Sequence, residues 1–123
     1  GFYGLEVKGT KKRGGYVREI QVRDCILPRI LFHAVNYNDD GMGAECPPVF
    51  ECCRFENVTV LGRYTDRDSG EIKKCAHIEL CGFDEPGYEI RDISFFRVRL
   101  SGKEGEPGRV LMKNCRDVRF EEV

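Results

Sequence analysis

The chain has 123 residues, an apolar fraction of 41% and a net charge of −1 from 20 basic and 21 acidic residues. Its length and composition indicate a single globular domain over residues 1–123 with a hydrophobic core. The balanced charge gives no electrostatic reason to expect binding to nucleic acid or to an anionic membrane surface. No apolar run approaches the ~20 residues that a membrane-spanning helix needs.

In chain order, a short strand at 4–9 comes first, and an apolar pattern that starts at Val17 follows it. The clearest copy of that pattern lies at 49–60, where apolar residues occupy positions 50, 53, 55, 58 and 60. Offsets of 0, 3, 5, 8 and 10 fit two short strands with alternating side chains, separated by a two-residue turn at Glu56-Asn57. They fit neither a helix nor one straight strand.

Four copies of this pattern divide the chain into repeats. They begin at residues 17, 50, 90 and 115, so successive copies start 33, 40 and 25 residues apart. A short strand precedes each copy, at 4–9, 29–35, 76–82 and 109–113. Three strands per repeat at this spacing predict a solenoid.

We therefore expect an all-β fold, a right-handed parallel β-helix of about four coils that belongs to a longer β-helix. Asp24 and Asn57 occupy the same turn position, where short polar side chains tolerate left-handed backbone angles. An antiparallel sandwich is the alternative, and it predicts hairpin signals such as Asn-Gly between paired strands. The insertions at 36–48, 62–74 and 102–108 are expected to be loops, and no helix is expected.

Seven cysteines are many for this length. Three of them take apolar positions of the repeat and are expected to be core residues: Cys25, Cys53 and Cys115. The other four lack Cys-x-x-Cys spacing: Cys46, Cys52, Cys75 and Cys81. A zinc module built from those four is an alternative, but we expect neither a metal nor a cofactor. Reduced thiols favour a reducing, cytoplasmic compartment, with secretion as the alternative.

Three groups of segments resemble the C-terminal coils of the polygalacturonase family of pectin-degrading glycoside hydrolases, glycoside hydrolase family 28. Gly4-Leu5-Glu6-Val7-Lys8, followed by Gly14-Gly15-Tyr16-Val17, is similar to that family's Gly-Ile-Arg-Ile-Lys strand and the turn after it. Segments 17–25 and 50–58 resemble its repeated coils, and Asn36–Gly41 resembles its late Asp-Tyr-Glu-Asp-Gly segment.

The resemblance implies a substrate-binding role for Glu6, Lys8 and Tyr37. His33, expected on the outer face near Tyr37, is the fourth candidate. Lys8 matches a cation that grips the substrate carboxylate, and Tyr37 matches a tyrosine that lines a sugar subsite. Glu6 stands where the family has arginine, and its carboxylate would repel a uronate. A different or decorated pectic sugar is therefore expected. Alternation along the short strands predicts that His33, near Tyr37, and His77 both face outward.

The family hydrolyses with inversion, which needs two carboxylates ~6.5–9.5 Å apart. In the family these carboxylates lie in blocks that precede the strand equivalent to Gly4–Lys8. We therefore expect no catalytic residue in this chain, and Asp39-Asp40 is not assigned that role. The resemblance implies the C-terminal portion of a polygalacturonase-like hydrolase, inactive alone, whose partner is a pectic oligo- or polysaccharide.

A non-catalytic carbohydrate-binding or structural β-helix is the alternative function. Either way, the coil that begins at Phe2–Lys8 exposes an open end of the strand ladder. Unpaired strand edges recruit further strands, so we expect end-to-end self-association.

Overall fold

The computed structural model describes residues 4–35, 46–103 and 105–123, and the regular elements in these ranges are all β-strands. In chain order they are β1 (Leu5–Thr10), β2 (Tyr16–Val17), β3 (Ile20–Leu27), β4 (Ile30–Val35), β5 (Val49–Val60), β6 (Arg63–Thr65), β7 (Ile72–Lys74), β8 (Ile78–Cys81), β9 (Ile90–Leu100), β10 (Val110–Lys113) and β11 (Cys115–Glu121). The expected all-β class is confirmed for these ranges. Tyr37 and Asp39-Asp40 lie outside them. Among the described residues, no helix has the length and apolarity that crossing a membrane requires.

Two parallel sheets contain nearly all of the strands. The short strands form a four-stranded sheet in the order β1-β4-β8-β10, in which every pairing is parallel. The longer strands form a second parallel sheet in the order β11-β9-β5-β2, and β3 also pairs with β5. Strands from successive repeats thus lie side by side, so equivalent residues of the repeats become neighbours.

The strand register matches the four copies of the apolar pattern. Val58 of β5 pairs with Cys25 of β3 on one side and with Val98 of β9 on the other. Cys115 pairs with Ile90 in the same way. Because each pairing is parallel and in register, one apolar position of the repeat becomes a continuous row of inward side chains.

Each long strand bends at single residues with left-handed backbone angles. Asp24 has a φ of 56° and Asn57 a φ of 52°, as expected, and the Asn57 amide donates a 2.7 Å hydrogen bond to the Asp24 carboxylate. The predicted two-residue turn at Glu56-Asn57 is wrong, because β5 continues through both residues. Of these two residues, Asn57 has a left-handed φ and Glu56 does not. A second bend lies five residues earlier, at Cys52 in β5, with a φ of 55°.

Phenylalanine rings form the centre of the core. Phe55 stacks on Phe95 with a centroid distance of 5.0 Å, and Phe95 stacks on Phe120 at 4.9 Å. Phe32 of the four-stranded sheet meets Phe55 edge-on at 6.2 Å. This contact joins the two parallel sheets into one hydrophobic core, since Phe32 and Phe55 are both fully buried.

The insertion at 62–74 is more ordered than expected. Its ends form an antiparallel hairpin, in which β6 pairs with β7. The expectation of a plain loop is wrong there, but Asp66–Gly70 is a turn and not a helix. The Asp66 carboxylate closes that turn: it accepts a hydrogen bond from the Asp68 amide and pairs with the Lys73 ammonium at 2.8 Å.

All seven cysteines are free thiols. Cys53 is buried in the hydrophobic core. Cys25 and Cys115 are half-buried and pack against this core, as the repeat predicted. Cys52 is exposed. The described residues contain no group of three His, Cys, Asp or Glu side chains that could hold a metal ion.

Both ends of the strand stack expose apolar side chains. At the β10 and β11 end, Leu111, Met112 and Phe120 are exposed. At the end formed by β1, β2 and β3, Tyr16 and Ile26 are exposed. End-to-end self-association through these edges stays a prediction.

Candidate functional site

Alternation along the short strands presents polar side chains on the outer face of the four-stranded sheet. In β1, Leu5 and Val7 pack against the core while Glu6 and Lys8 are exposed. In β8, the buried Ile78 and Leu80 alternate in the same way with more exposed residues. The outer face is therefore set by the period of two in each strand.

A polar row crosses this face because the strands are in register. Lys8 pairs with His33, His33 with Cys81, and Cys81 with Lys113. We call these four residues the outer row. Neighbouring strands lie about 4.8 Å apart, so each side chain of the row lies beside the next. The row has a lysine at each end and an imidazole and a thiol between them.

Glu6 and His33 form a direct polar contact on this face. The His33 Nε2 atom lies 2.8 Å from the Glu6 Oε1 atom, and the two side chains are 22% and 33% exposed. The sequence predicted that both residues face outward, and here they contact each other directly. The Glu6 carboxylate therefore has the His33 imidazole as a hydrogen-bond partner and is not an unpartnered anion beside Lys8.

Part of the outer face is covered. Leu31 pairs with Glu6 on one side and with Glu79 on the other, yet only 6% of its surface is exposed. Three of the four residues expected to bind substrate, Glu6, Lys8 and His33, are brought together beside this leucine. The fourth, Tyr37, lies outside the described residues.

The expectation for His77 is wrong. This residue directly precedes β8 and is 7% exposed, so its ring is not presented to solvent. Its Nδ1 atom accepts a 3.2 Å hydrogen bond from the Arg109 amide, and its Nε2 atom donates a 2.6 Å bond to the Ser101 carbonyl oxygen. Both ring nitrogens therefore form hydrogen bonds with backbone atoms. Because Nδ1 accepts and Nε2 donates, the proton of the ring lies on Nε2.

The thiols of β5 are poor nucleophiles. Burial raises the pKa of the Cys53 thiol to about 11, so it stays protonated at neutral pH. The Cys52 thiol donates a 3.2 Å hydrogen bond to the Asp92 carboxylate, which raises the pKa of that thiol. Asp92 itself is held ionised, because its hydrogen bond from Arg119 lowers its pKa.

A second polar site lies at the amino-terminal end of β8. A cavity of about 470 Å³ opens between the β6–β7 hairpin and residues 101–103 and 106. His77 lies against it, packed so closely on Gly62 that a Cβ at that glycine would be 2.5 Å from the ring. We call this cavity the hairpin cleft.

Sequence reasoning missed the hairpin cleft. Its charged residues come from two insertions that stand outside the repeat pattern, so no periodicity relates them. The one available signal was composition, since glycines at 62 and 102 flank both insertions and leave room beside the buried imidazole.

Comparisons of this chain with protein-family models, with curated proteins and with solved structures found no match. The functional assignment therefore depends on the geometry of the outer row and of the hairpin cleft.

Proposed function

We propose that the chain forms consecutive coils of a right-handed parallel β-helix. Two parallel sheets with the same repeat order support this proposal, because each repeat contributes one short and one long strand at equivalent positions. The left-handed residues at equivalent sites in β3, β5 and β9 support it too, since each would turn the chain within a coil. Right-handed crossovers are the rule for parallel strands in one sheet.

We propose further that the outer row binds an acidic pectic polysaccharide, as the C-terminal portion of a polygalacturonase-like hydrolase. The observation that carries this proposal is the convergence of Glu6, Lys8 and His33 on one sheet face. Lys8 would hold a sugar carboxylate by a charge-assisted hydrogen bond. In this proposal the inverting acid and base precede Gly1, and this segment supplies one wall of the cleft.

Glu6 stands at the position where the family has an arginine, and its contact with His33 changes how this carboxylate would act on a substrate. A carboxylate held by an imidazole is less available to repel a uronate than a free one. Its second oxygen stays able to accept a hydrogen bond from a sugar hydroxyl. This supports a substrate that presents both a carboxylate, for Lys8, and a hydroxyl, for Glu6.

Replacing Lys8 with alanine is expected to weaken binding of an oligogalacturonide by about tenfold, since one charge-assisted contact is lost at an exposed site. Isothermal titration calorimetry of the purified chain at low ionic strength measures this change. Lys12→Ala is the matched control, because Lys12 is an exposed lysine in the turn after β1. Equal losses in the two variants, or no loss in either, would contradict the role of Lys8.

The alternative is a β-helix that binds sugar without cleaving it. The presence of Glu6 in place of a cation favours this alternative, because it weakens the match to a uronate subsite. Incubating the longer parent protein with polygalacturonate, and following the anomer of each product by proton NMR, separates the two. Release of inverted products supports hydrolysis, whereas binding without product release supports the alternative.

A further inference from the structure

The outer row places a thiol directly beside an imidazole that already has a carboxylate as its partner. Cys81 of β8 is the in-register neighbour of His33 of β4, so their Cα atoms lie about 4.8 Å apart. Glu6, which contacts the His33 Nε2 atom at 2.8 Å, belongs to β1 on the opposite side of β4. Across these three strands, the order is a carboxylate, an imidazole and a thiol. This is the order of orienting group, base and nucleophile in acyl-transfer sites.

The contact with Glu6 determines which nitrogen of His33 can act as a base. An ionised carboxylate only accepts hydrogen bonds, so the neutral ring carries its proton on Nε2 and its lone pair on Nδ1. Within the described part of the chain, no hydrogen bond occupies Nδ1, and none yet joins the ring to the Cys81 thiol. Catalytic hydrogen bonds are often long in a free enzyme and tighten when the substrate binds. The Nδ1 atom is therefore available to take a proton from Cys81.

Cys52, the exposed thiol of β5, has a different environment. It donates a hydrogen bond to the Asp92 carboxylate, which raises the pKa of the Cys52 thiol and keeps it protonated. The in-register neighbours of Cys81 are instead His33 on one side and Lys113 on the other. Cys81 is thus a thiol that the strand register places between a base and a cation.

A largely apolar cavity of about 450 Å³ opens beside Cys81, along β8 and β10. Its apolar lining includes three consecutive residues of β10: Val110, Leu111 and Met112. Leu111 is 47% exposed and Met112 50% exposed, so a ligand can reach both side chains. From Val110 to Lys113 this strand spans roughly 10 Å. The cavity therefore fits a short apolar chain that runs from Cys81 along β10.

We propose that Cys81, His33 and Glu6 form an acyl-transfer site that hydrolyses esters of apolar carboxylic acids. Cys81 is the nucleophile, His33 is the base, and Glu6 is a positioning residue that orients the ring. The Cys81 sulfur forms a bond to the ester carbonyl carbon, and its proton passes to the His33 Nδ1 atom. The alkoxide takes that proton and leaves as an alcohol, while the acyl group stays on the sulfur as a thioester.

His33 acts again in the second half of the reaction. Water attacks the thioester carbonyl carbon and gives one proton to the Nδ1 atom. The bond between the acyl carbon and the Cys81 sulfur then breaks, the carboxylic acid leaves, and the sulfur takes the proton back. Lys113 lies beside Cys81 in the row and lines the same cavity, so its ammonium stabilises the negative charge that develops on the carbonyl oxygen.

This inference does not rest on the polysaccharide proposal. The reaction needs neither a sugar nor a uronate, and the assay below contains neither. A chain that fails to bind oligogalacturonides can still hydrolyse a simple ester, and the reverse holds as well. The failure of one proposal is therefore distinguishable from the failure of the other.

Spectrophotometric hydrolysis of p-nitrophenyl butyrate by the purified chain tests the proposal. We expect turnover that begins with a burst of about one p-nitrophenol per chain, because the thioester forms before it is hydrolysed. Mass spectrometry of the acid-quenched wild-type chain should locate the butyryl group on Cys81. The kcat/KM for the butyrate ester should exceed that for the acetate ester by about tenfold, since two more methylene groups pack in the cavity.

Three variants separate the proposed roles, and circular dichroism checks that each one folds. Cys81→Ala should remove the burst and lower the rate by about a hundredfold or more, and His33→Gln should lower kcat by about a hundredfold. Glu6→Gln should lower kcat by about tenfold and leave KM unchanged, because the charge that stabilises the imidazolium is lost while the cavity is intact.

Cys52→Ala is the matched control, because it removes an exposed thiol that lies outside the outer row. It should leave the burst and the rate unchanged. An unchanged rate in Cys81→Ala, or a butyryl group found on a residue other than Cys81, would overturn the proposal. An unchanged kcat in His33→Gln would overturn it as well, since the thiol would then react without the imidazole.

Discussion

Replacing Phe55 with alanine is expected to lower the free energy of unfolding by about 3–5 kcal/mol, as for other buried phenylalanines. Phe55 is fully buried, stacks on Phe95 at 5.0 Å and contacts Phe32 edge-on at 6.2 Å. Its removal leaves a cavity where the two parallel sheets meet. Because domains of this size have total stabilities of only about 5–15 kcal/mol, this loss is a large share of the total.

Urea unfolding followed by circular dichroism measures this loss, and Phe120→Ala is its control. Phe120 makes the same kind of stacked contact, with Phe95 at 4.9 Å, but on β11 it is 38% exposed. Less apolar surface is lost there, and the surroundings can relax into solvent. We expect less than half of the Phe55→Ala effect, and equal effects would contradict the central position of Phe55 in the core.

Replacing Gly82 with alanine is expected to destabilise the fold by about 3 kcal/mol, the upper end of the usual cost of overpacking. A Cβ at Gly82 would overlap the Asn114 carbonyl oxygen and lie 2.9 Å from the Ile90 amide nitrogen. These two atoms form a backbone hydrogen bond of 3.1 Å with each other. Because both are backbone atoms, the methyl group cannot be accommodated by rotating a side chain.

Thermal unfolding of Gly82→Ala and Gly102→Ala tests this prediction in one experiment. A Cβ at Gly102 would meet only the Glu106 side chain, at 3.8 Å, which is an ordinary contact distance. Gly102→Ala should therefore change the free energy of unfolding by less than about 1 kcal/mol, with either sign. A similar loss in both variants would contradict the crowding around Gly82.

The apolar register was predictable from sequence because each bend in a strand leaves a regular mark on the pattern: a step of three residues between inward apolar side chains in place of the usual two. A left-handed residue adds one position to the strand without changing the face of the next inward side chain. The steps of three residues, from Phe50 to Cys53 and from Phe55 to Val58, each contain one such residue. The bend at Asn57 was expected because asparagine tolerates this conformation, whereas the bend at Cys52 was missed because cysteine rarely adopts it.

The site was less predictable than the fold. Alternation places Glu6, Lys8 and His33 on one face, but it gives no information on the 2.8 Å contact between Glu6 and His33. The burial of His77 depends on the backbone of residues 101 and 109, which the repeat pattern does not relate to position 77. The β6–β7 hairpin was missed because each of its strands has only three residues and their side chains are mostly exposed, which is too short a stretch to form an apolar pattern.

The most direct test of the account is a disulfide across the outer row, since that row exists only if successive short strands are parallel and in register. Lys113 pairs with Cys81, whereas Leu111 of the same strand pairs with Glu79. In-register Cα atoms of neighbouring strands are about 4.8 Å apart, within disulfide range, and the diagonal pair is roughly 8 Å apart, beyond it. Mild oxidation of Lys113→Cys, followed by peptide mapping, should show a bond between Cys81 and the introduced thiol. Leu111→Cys should show none, and a bond formed in Leu111→Cys but not in Lys113→Cys would contradict the register on which the outer row depends.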